Sequence, residues 1–305
     1  MSLNKFLREK FGEKVKKIPL DAGFTCPNRD GTKGSGGCIY CDAKGSGTGL
    51  NSALTLKEQI QYFISKFAQR GYKKFIAYFQ SFSNTYAPKE KLEEVYSTIF
   101  DFPEIVGIAI GTRPDCINSE VIKVLKYFQS LGYFLWVELG LQSIHNETLK
   151  RINRGHSYEE FIEAYRLLKE NNISLCIHLI FGLPGEDKEM MLETVKSVAT
   201  LQPDGVKFHA LYIVKNAPIA KLYENQYIKL LTLEEYADLV ATSLAMLPPY
   251  TVVHRLTSDP PKESLIAPLW LLEKNRVLQS IQQIMKEKGL YQGKNFLVDP
   301  IHCHS

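Results

Sequence analysis

The sequence lacks any long apolar stretch. No run of about 18 apolar residues appears among its 305 residues, so no membrane-spanning helix is expected. Its beginning also lacks the continuous apolar region and the small-residue cleavage site of a secretory signal peptide. No low-complexity segment and no internal repeat is present. We therefore expect a cytoplasmic globular protein with one large domain plus an extension, or two domains.

Cysteine is scarce, with six residues in the chain, and three of them share one glycine-rich segment, CPNRDGTKGSGGCIYC. Cys26, Cys38 and Cys41 have the spacing C-x11-C-x2-C. In a reducing compartment such thiols bind metals or carry out chemistry more often than they form disulfides. The remaining cysteines are isolated along the chain: Cys116, Cys176 and Cys303. We interpret the first two as small buried hydrophobic residues.

Three thiolates leave a metal site one ligand short. Structural zinc usually takes four protein ligands, and no histidine follows the cysteines within about 100 residues. A distant histidine such as His178 keeps zinc open as an alternative. A 4Fe–4S cluster on three thiolates fits better, because its fourth iron is then free to bind a substrate or cofactor.

Apolar segments of strand length alternate with helical patterns. Such segments occupy residues 14–20, 74–80, 105–111, 133–140, 173–182 and 205–214. Most lack polar alternation, which is typical of strands covered on both faces of a parallel sheet. Between them, the helical patterns end at glycine or begin with capping boxes such as Ser157-x-x-Glu160. About six βα units predict an α/β fold, a partial (βα)6 TIM-type barrel.

Polar or glycine-rich segments follow nearly every predicted strand at the same position. These segments are the cysteine loop, QSFSNTY (80–86), GTRPD (111–115), ELGLQS (138–143) and FGLPGE (181–186). In α/β barrels the active site lies at the carboxyl ends of the strands. Prolines interrupt the pattern between residues 248 and 263. We expect a barrel domain over residues 1–250 and a C-terminal extension over 251–305 that packs on it.

In these motifs the chain resembles the radical S-adenosylmethionine (radical SAM) enzymes. The resemblance is strongest to the YhcC/YtqA-like subgroup, which is related to the elongator catalytic subunit. It extends from about residue 11 to 290 and includes the segments VELGLQSIHNETLKRINRGH, HLIFGLPGE, KFHALYIVKNAP and HRLTSDPP. The long first cysteine gap departs from the commonest superfamily pattern and agrees with the subgroup.

The resemblance implies that Cys26, Cys38 and Cys41 hold a 4Fe–4S cluster and that its free iron chelates S-adenosyl-L-methionine (SAM). An external electron donor of the flavodoxin or ferredoxin type would reduce the cluster, and the protein would orient the partners. Further positions implied to contact SAM are Tyr40, Gln80, Ser83, Asn84, Glu138, Gln142, Arg154, Gly182 and Leu183. Within this set, the spacing of Gln142 and Arg154 matches the coproporphyrinogen-type branch, and Arg154 suits the methionine carboxylate.

Polar residues inside the predicted strands are candidates for catalysis. His178 and His209 lie within apolar strands, and Glu138 lies near the end of the fourth. His178 and His209 are each compatible with a hydrogen-bonded structural residue or with substrate contact. Glu138 is compatible with a satisfied polar residue at a strand end or, as the resemblance implies, with a contact to a hydroxyl of SAM. We carry all three forward as candidate catalytic residues.

The subgroup implies a tRNA substrate, modified at the wobble-uridine side chain in the aminomethyl-uridine pathway. The net charge of +4 permits a nucleic-acid partner, and basic residues near the start of the chain supply a candidate surface that includes Lys14, Lys16 and Lys17. Two alternatives stay open at this point. One is a radical SAM enzyme acting on a small-molecule or porphyrin-like substrate, and the other is a zinc-stabilised RNA-binding module without catalysis. The sequence does not indicate the oligomeric state.

Overall fold

A computed structural model describes residues 1–42, 45 and 54–297 of the chain. Their strands alternate with helices along most of the chain, as the apolar pattern predicts. The strands are β1 (Val15–Leu20), β2 (Lys74–Phe79), β3 (Ile105–Thr112), β4 (Phe134–Gln142), β5 (Ser174–Phe181), β6 (Gly205–Ala210), β7 (Ile213–Val214), β8 (Val252–Arg255) and β9 (Leu265–Ala267).

The helices begin at the capping residues that the sequence places before them. Thr55, Ser157 and Thr232 each close a capping box with the glutamate three positions later. The helices are α1 (Leu3–Phe11), α2 (Leu56–Ala68), α3 (Lys89–Ser97), α4 (Ser119–Ser130), α5 (Asn146–Arg151), α6 (Tyr158–Glu170), α7 (Lys188–Thr200), α8 (Ile219–Glu224), α9 (Leu233–Met246) and α10 (Lys274–Glu287). No helix in the described ranges is long and apolar enough to cross a membrane.

The main sheet has seven parallel strands in the order β1-β2-β3-β4-β5-β6-β8. It curls strongly, since side chains from distant strands meet on its inner face. Lys17 Nζ of β1 lies 2.6 Å from Glu138 Oε1 of β4, and Lys207 Nζ of β6 lies 3.3 Å from the Tyr78 hydroxyl of β2. The predicted partial barrel is therefore confirmed, with β8 as a seventh strand beyond the six expected.

Alternation along each strand separates the two faces of the sheet. Outward residues such as Phe79, Val137 and Ile177 pack against the surrounding helices in the large core. Inward residues at the amino-terminal end of the barrel, including Tyr78 and Trp136, form a smaller cluster. The carboxyl ends of the strands carry the polar segments, so the fold brings those segments to one rim of the barrel.

Helix α1 covers the amino-terminal end of the barrel. Its Leu7 is 1% exposed and packs in the inner cluster. Just before it, Ser2 forms a bridge with Val253 of β8. The start of the chain thus links the last strand of the sheet to the barrel interior. At the other end of the chain, α10 packs on α9, and the domain boundary expected at residue 250 stays a prediction.

Candidate cofactor site

The three clustered cysteines lie in the connection between β1 and α2. Cys26 and Cys38 are buried, and Cys41 is half-buried. The loop turns just before Cys38 at Gly36 and Gly37, whose φ angles are 79° and 77°. These left-handed conformations favour glycine, which explains the glycines within the cysteine segment. Cys303 and the rest of the HCHS tail lie outside the described residues.

Arg154 lies beside the middle cysteine of the motif. Its Nη1 donates to Cys38 Sγ at 3.6 Å, and its Nη2 donates to the Gly140 carbonyl oxygen at 2.8 Å. Burial opposes ionisation of the Cys38 thiol, but the charges of Arg154 and Arg113 outweigh it and lower the pKa of this thiol. The arrangement therefore favours a thiolate, which is the form that binds iron.

Buried polar atoms without hydrogen-bond partners line the same rim of the barrel. A buried polar atom without a partner is costly and often marks a site that a ligand completes. Among the described residues, such atoms lie in the β2–α3 segment, at the end of β4 and in the turn between α5 and α6: Ser81 Oγ, Ser83 Oγ, Asn84 Oδ1, Gln142 Oε1 and Arg154 Nε. Four of these five residues were predicted to contact SAM from the sequence. The structure brings them to the end of the barrel that also carries the cysteines.

Gln142 ends β4 in a strained conformation. Its φ angle is 76°, and the pairing register between β4 and β5 shifts between Gly140 and Gln142. A non-glycine residue in this region is uncommon and is often found where a side chain must be aimed. A Cβ atom on Gly140 would lie 2.7 Å from Arg154 Nη2 and 2.8 Å from Gln142 Nε2. Only glycine fits at position 140 without displacing both side chains.

Glu138 lies deeper in the barrel, below this rim, and has no exposed side-chain surface. Its Oε1 accepts from Lys17 Nζ at 2.6 Å and from Trp136 Nε1 at 3.1 Å. Its Oε2 accepts from Lys207 Nζ and from His178 Nε2, the latter at 3.0 Å. Both oxygens are engaged within the chain, so the predicted SAM hydroxyl contact would have to compete with these donors, and it stays a prediction.

Two lysines and a tyrosine complete this inner group, which we call the Glu138 cluster: Lys17, Tyr78, Trp136, Glu138, His178, Lys207 and His254. Lys17 Nζ and Lys207 Nζ lie 3.9 Å and 4.7 Å from the centre of the Tyr78 ring. Burial lowers the pKa of Lys207 to about 7. Although burial opposes its ionisation, Lys17 and Lys207 hold the pKa of Glu138 well below its usual range.

The two histidines predicted as catalytic lie side by side on the inner face. The ring centres of His178 and His209 are 5.2 Å apart, and both residues are half-buried. Burial lowers the pKa of His178 to about 3 and that of His209 well below its ordinary value, so both rings are neutral near pH 7. His209 Nε2 is buried and has no hydrogen-bond partner among the residues that the structure describes. The geometry thus brings the pair together, and their catalytic role stays a prediction.

The other residues predicted to contact SAM surround the same rim. Tyr40 lies between two of the cysteines, and Gln80 directly follows β2. Gly182 and Leu183 directly follow β5, where Gly182 has a φ angle of 85° and its N–H donates to Met191 Sδ at 3.1 Å. These positions agree with the predicted arrangement around a cofactor, while the individual contacts stay predictions.

The residues of the rim supply donor and acceptor types that a cluster and a cofactor beside it can use. Across residues 1–42, 45 and 54–297, no three His, Cys, Asp or Glu side chains are gathered closely enough to hold one ion. Cys26, Cys38 and Cys41 supply three free thiols in one loop, and in a 4Fe–4S cluster each thiolate binds a different iron. The unpaired oxygens and the Arg154 Nε–H supply both acceptors and a cationic donor for a zwitterionic amino-acid group. The site therefore fits a cluster with an amino-acid-bearing cofactor beside it.

Sequence inspection missed most of the Glu138 cluster. Lys17 was assigned to a basic surface, yet its side chain is 18% exposed and points into the barrel. Lys207 and His254 were not singled out. In β6 the alternation of Gly205, Lys207 and His209 would have indicated one inward polar face. For Lys17 the same alternation separates it from its neighbour Lys16, which lies on the outer side against Phe67.

Two protein-family models match consecutive parts of the chain. The model of the Radical SAM superfamily matches residues 28–198, and that of the Radical_SAM C-terminal domain matches residues 203–287. The first match contains the second and third cysteines and the carboxyl ends of β2 to β5. The second contains β6, β8 and the helices α9 and α10.

Similar proteins include short relatives and parts of longer ones. YtqA of Bacillus subtilis is 42% identical over 97% of this chain and 92% of its own length. A tRNA uridine(34) acetyltransferase of Methanocaldococcus infernus is 30% identical over 65% of this chain and 39% of its own length. The solved structure of Methanocaldococcus infernus Elp3, with an N-terminal deletion, has a TM-score of 0.68 and 22% identity, over 91% of this chain and 64% of that one.

Proposed function

The chain belongs to the radical SAM superfamily, and we propose that its chemistry is directed at the wobble-uridine side chain of tRNA. The family uses a 4Fe–4S cluster and SAM, and it needs an electron donor. The finer assignment, to tRNA, is supported by one observation above the others. This chain aligns with two proteins named tRNA uridine(34) acetyltransferase, over 65% and 61% of its length.

Cys26, Cys38 and Cys41 are the proposed cluster ligands. They are the cysteines of one glycine-rich loop at the rim, and Arg154 favours the thiolate form of Cys38. When bound, the 4Fe–4S cluster would supply single electrons at low potential for radical chemistry on the substrate, with SAM as the co-reactant. A flavodoxin- or ferredoxin-type protein is the proposed donor, because the reaction requires single electrons at low potential.

The chain's own residues are proposed to bind and orient SAM. Gln142 Oε1 and Asn84 Oδ1 are buried acceptors with no partner in the part of the chain that the structure describes, which suits the ammonium group of the methionine part. In the same described part, Arg154 Nε–H is a buried cationic donor without a partner, which suits the methionine carboxylate. Tyr40 and the backbone at Gly182 are proposed to contact the adenine. Inside the barrel, His178 and His209 are proposed to face the substrate.

A basic and aromatic surface outside the barrel is the proposed contact for tRNA phosphates. Lys16 Nζ lies 4.6 Å from the centre of the Phe67 ring, and the Arg70 guanidinium lies 5.6 Å from it. Among the described residues, neither Lys16 nor Arg70 forms an ion pair with a carboxylate. Burial lowers the pKa of Lys16, and the charges of Arg70 and Lys274 lower it further. Uncompensated cations held close together favour a polyanion.

The assignment is tested by nucleoside analysis of tRNA. A strain lacking this gene should accumulate an incomplete wobble-uridine derivative, and the native gene should restore the normal one. The Cys38→Ala gene should fail to restore it, whereas the Cys116→Ala gene should succeed. If every wobble-uridine derivative keeps its normal abundance in a strain without a homologous enzyme, the tRNA assignment is wrong. A small-molecule or porphyrin-like substrate then takes its place, and iron analysis of the purified protein separates both from a zinc module.

A further inference from the structure

The turn between α5 and α6 holds the cysteine loop in place. The Ile39 N–H donates to the Ile152 carbonyl at 3.0 Å, and Asn153 Nδ2 donates to the Gly37 carbonyl at 2.8 Å. From the loop side, Asn28 Nδ2 donates to the Asn153 carbonyl at 2.5 Å. The contacts run in both directions across the two segments. The loop and the turn therefore form one rigid unit around Cys38.

Two side-chain donors from this unit converge on one sulfur. Arg154 Nη1 lies 3.6 Å from Cys38 Sγ, and Asn28 Nδ2 lies 3.8 Å from the same atom. Both distances are within the range of N–H···S hydrogen bonds. The guanidinium of Arg29, by comparison, donates to the carbonyl oxygens of Cys41 and Asp42. The sulfur of Cys38 thus has a cation and an amide directed at it.

The two donors are locked in their positions. Asn28 is 1% exposed, and a Cβ atom on Gly34 or Gly155 would lie 2.4 Å or 2.8 Å from its Oδ1. Two hydrogen bonds hold Arg154. Its Nη2 donates to the Gly140 carbonyl oxygen, and its own backbone carbonyl accepts from Arg113 Nη1 at 2.7 Å. Such rigid outer contacts tune a metal centre because they cannot turn away when its charge changes.

We propose that Asn28 and Arg154 are positioning residues that raise the reduction potential of the cluster through the sulfur of Cys38. The inference rests on the proposed assignment of the cluster to Cys26, Cys38 and Cys41. Reduction adds one electron from the external donor and neither forms nor breaks a bond. The added charge spreads onto the sulfur ligands, so a fixed N–H donor and a nearby cation stabilise the reduced state more than the oxidised state.

The test measures potential instead of activity. Anaerobically reconstituted full-length protein, without SAM, is titrated with a low-potential reductant while electron paramagnetic resonance follows the reduced cluster. Asn28→Leu removes the amide donor at similar size, and Arg154→Met removes the cation. Both midpoint potentials should be lower than that of the native protein, with the larger decrease in Arg154→Met. The control is Lys150→Met, which removes one exposed positive charge from the same helix–turn region and should leave the midpoint unchanged.

Iron content distinguishes a failure of this inference from a failure of the cluster-ligand assignment. A cluster that loads fully in Asn28→Leu and Arg154→Met, with the native midpoint in both, overturns the inference and leaves the ligand assignment intact. Full iron in Cys38→Ala overturns the ligand assignment itself. If Asn28→Leu does not take up iron, Asn28→Ser provides the same comparison with a smaller side chain. Its midpoint should also be lower than the native value, and an unchanged midpoint there counts against the inference in the same way.

Discussion

The rim of the barrel and the Glu138 cluster beneath it are both polar and buried, yet they differ in how their polar groups are satisfied. Within residues 1–42, 45 and 54–297, five buried atoms at the rim lack partners, including Gln142 Oε1 and Arg154 Nε. In the Glu138 cluster, both carboxylate oxygens accept hydrogen bonds from side chains of three other strands and of β4 itself. Unsatisfied groups indicate a site completed by a ligand, whereas the satisfied carboxylate of Glu138 indicates a scaffold, although the neighbouring His254 Nδ1 has no partner in the described part of the chain. The comparison predicts which substitutions affect binding and which affect stability.

The largest expected effect is on stability. Glu138→Gln removes the charge that compensates Lys17 and Lys207 inside the barrel, and breaking a buried ion pair in this way costs about 3–5 kcal/mol. The matched rim variant is Ser81→Ala, because Ser81 is fully buried and its hydroxyl has no partner to lose. In urea unfolding monitored by circular dichroism, the free energy of unfolding of Glu138→Gln should be lower than that of Ser81→Ala by most of this cost. Equal stabilities would remove the distinction between scaffold and rim.

Binding should show the opposite pattern. Arg154→Ala should weaken SAM binding by about 1.5–3 kcal/mol, roughly tenfold to a hundredfold, because a charge-assisted hydrogen bond is lost. The exposed neighbour Lys150→Ala serves as the control and should bind SAM as the native protein does. Isothermal titration calorimetry on cluster-loaded protein provides the measurement. If Arg154→Ala bound SAM with native affinity, the role of Arg154 would be limited to its contact with the cysteine loop.

Acid should destabilise the protein through the Glu138 cluster. Burial lowers the pKa of His178 to about 3 and that of His254 to about 4, so between about pH 6.5 and 4 the unfolded chain binds protons that the folded chain does not. Each histidine then reduces the free energy of unfolding by up to about 1.4 kcal/mol per pH unit as the pH falls. The lowered pKa of Glu138 adds a loss in the same direction at more acidic pH.

Removing one of these histidines should reduce the pH dependence. His254→Gln should decrease the slope of unfolding free energy against pH by up to about 1.4 kcal/mol per unit below pH 6.5. Ser81→Ala, at the rim, should leave that slope unchanged. Urea unfolding curves measured at several pH values give the free energy of unfolding at each pH, and from these the slope against pH for each variant. An unchanged slope in His254→Gln would mean that this ring is not held neutral by the fold.

The smallest effect concerns two neighbouring lysines. Lys16→Gln should flatten the dependence of log affinity for tRNA on log salt by about 0.7–0.9, the value of one phosphate contact. Lys17→Gln should leave that slope unchanged and lower stability instead, because Lys17 is paired with Glu138 inside the barrel. An exposed lysine on α4, Lys126, supplies a charge-matched control variant. Identical slopes for all three variants would place the tRNA surface elsewhere.

The sequence was sufficient for features that depend on local pattern. Apolar runs of strand length predicted the parallel partial barrel, and the polar segments after the strands predicted one shared rim. Local pattern does not show which inward side chains meet across the curled sheet. Lys17 and Glu138 are separated by 121 residues, and Lys207 and Glu138 by 69. Their pairing depends on barrel closure, which also explains why Lys17 resembled part of a basic surface.

Arg154 illustrates the same limit at the rim. Its spacing from Gln142 predicts a contact with SAM, which stays a prediction, and in the structure its Nη1 contacts the Cys38 sulfur. The spacing gave no indication that the same turn also clamps the cysteine loop through Ile152 and Asn153. The contact joins the turn between α5 and α6 to the cysteine loop, which are far apart in sequence: Asn153 and Gly37 are separated by 116 residues.

Iron content of two cysteine variants tests the central claim most directly. Cys38 and Cys116 are equally buried, each 5% exposed, so Cys38→Ala and Cys116→Ala remove the same atoms from similarly enclosed positions. Burial raises the pKa of Cys116 to about 12, in contrast to the lowered pKa of Cys38. After anaerobic reconstitution, Cys116→Ala should keep the iron content and visible absorption of the native protein, and Cys38→Ala should lose both. Full iron in Cys38→Ala, or equal losses in the two variants, would contradict a cluster held at the rim by Cys26, Cys38 and Cys41.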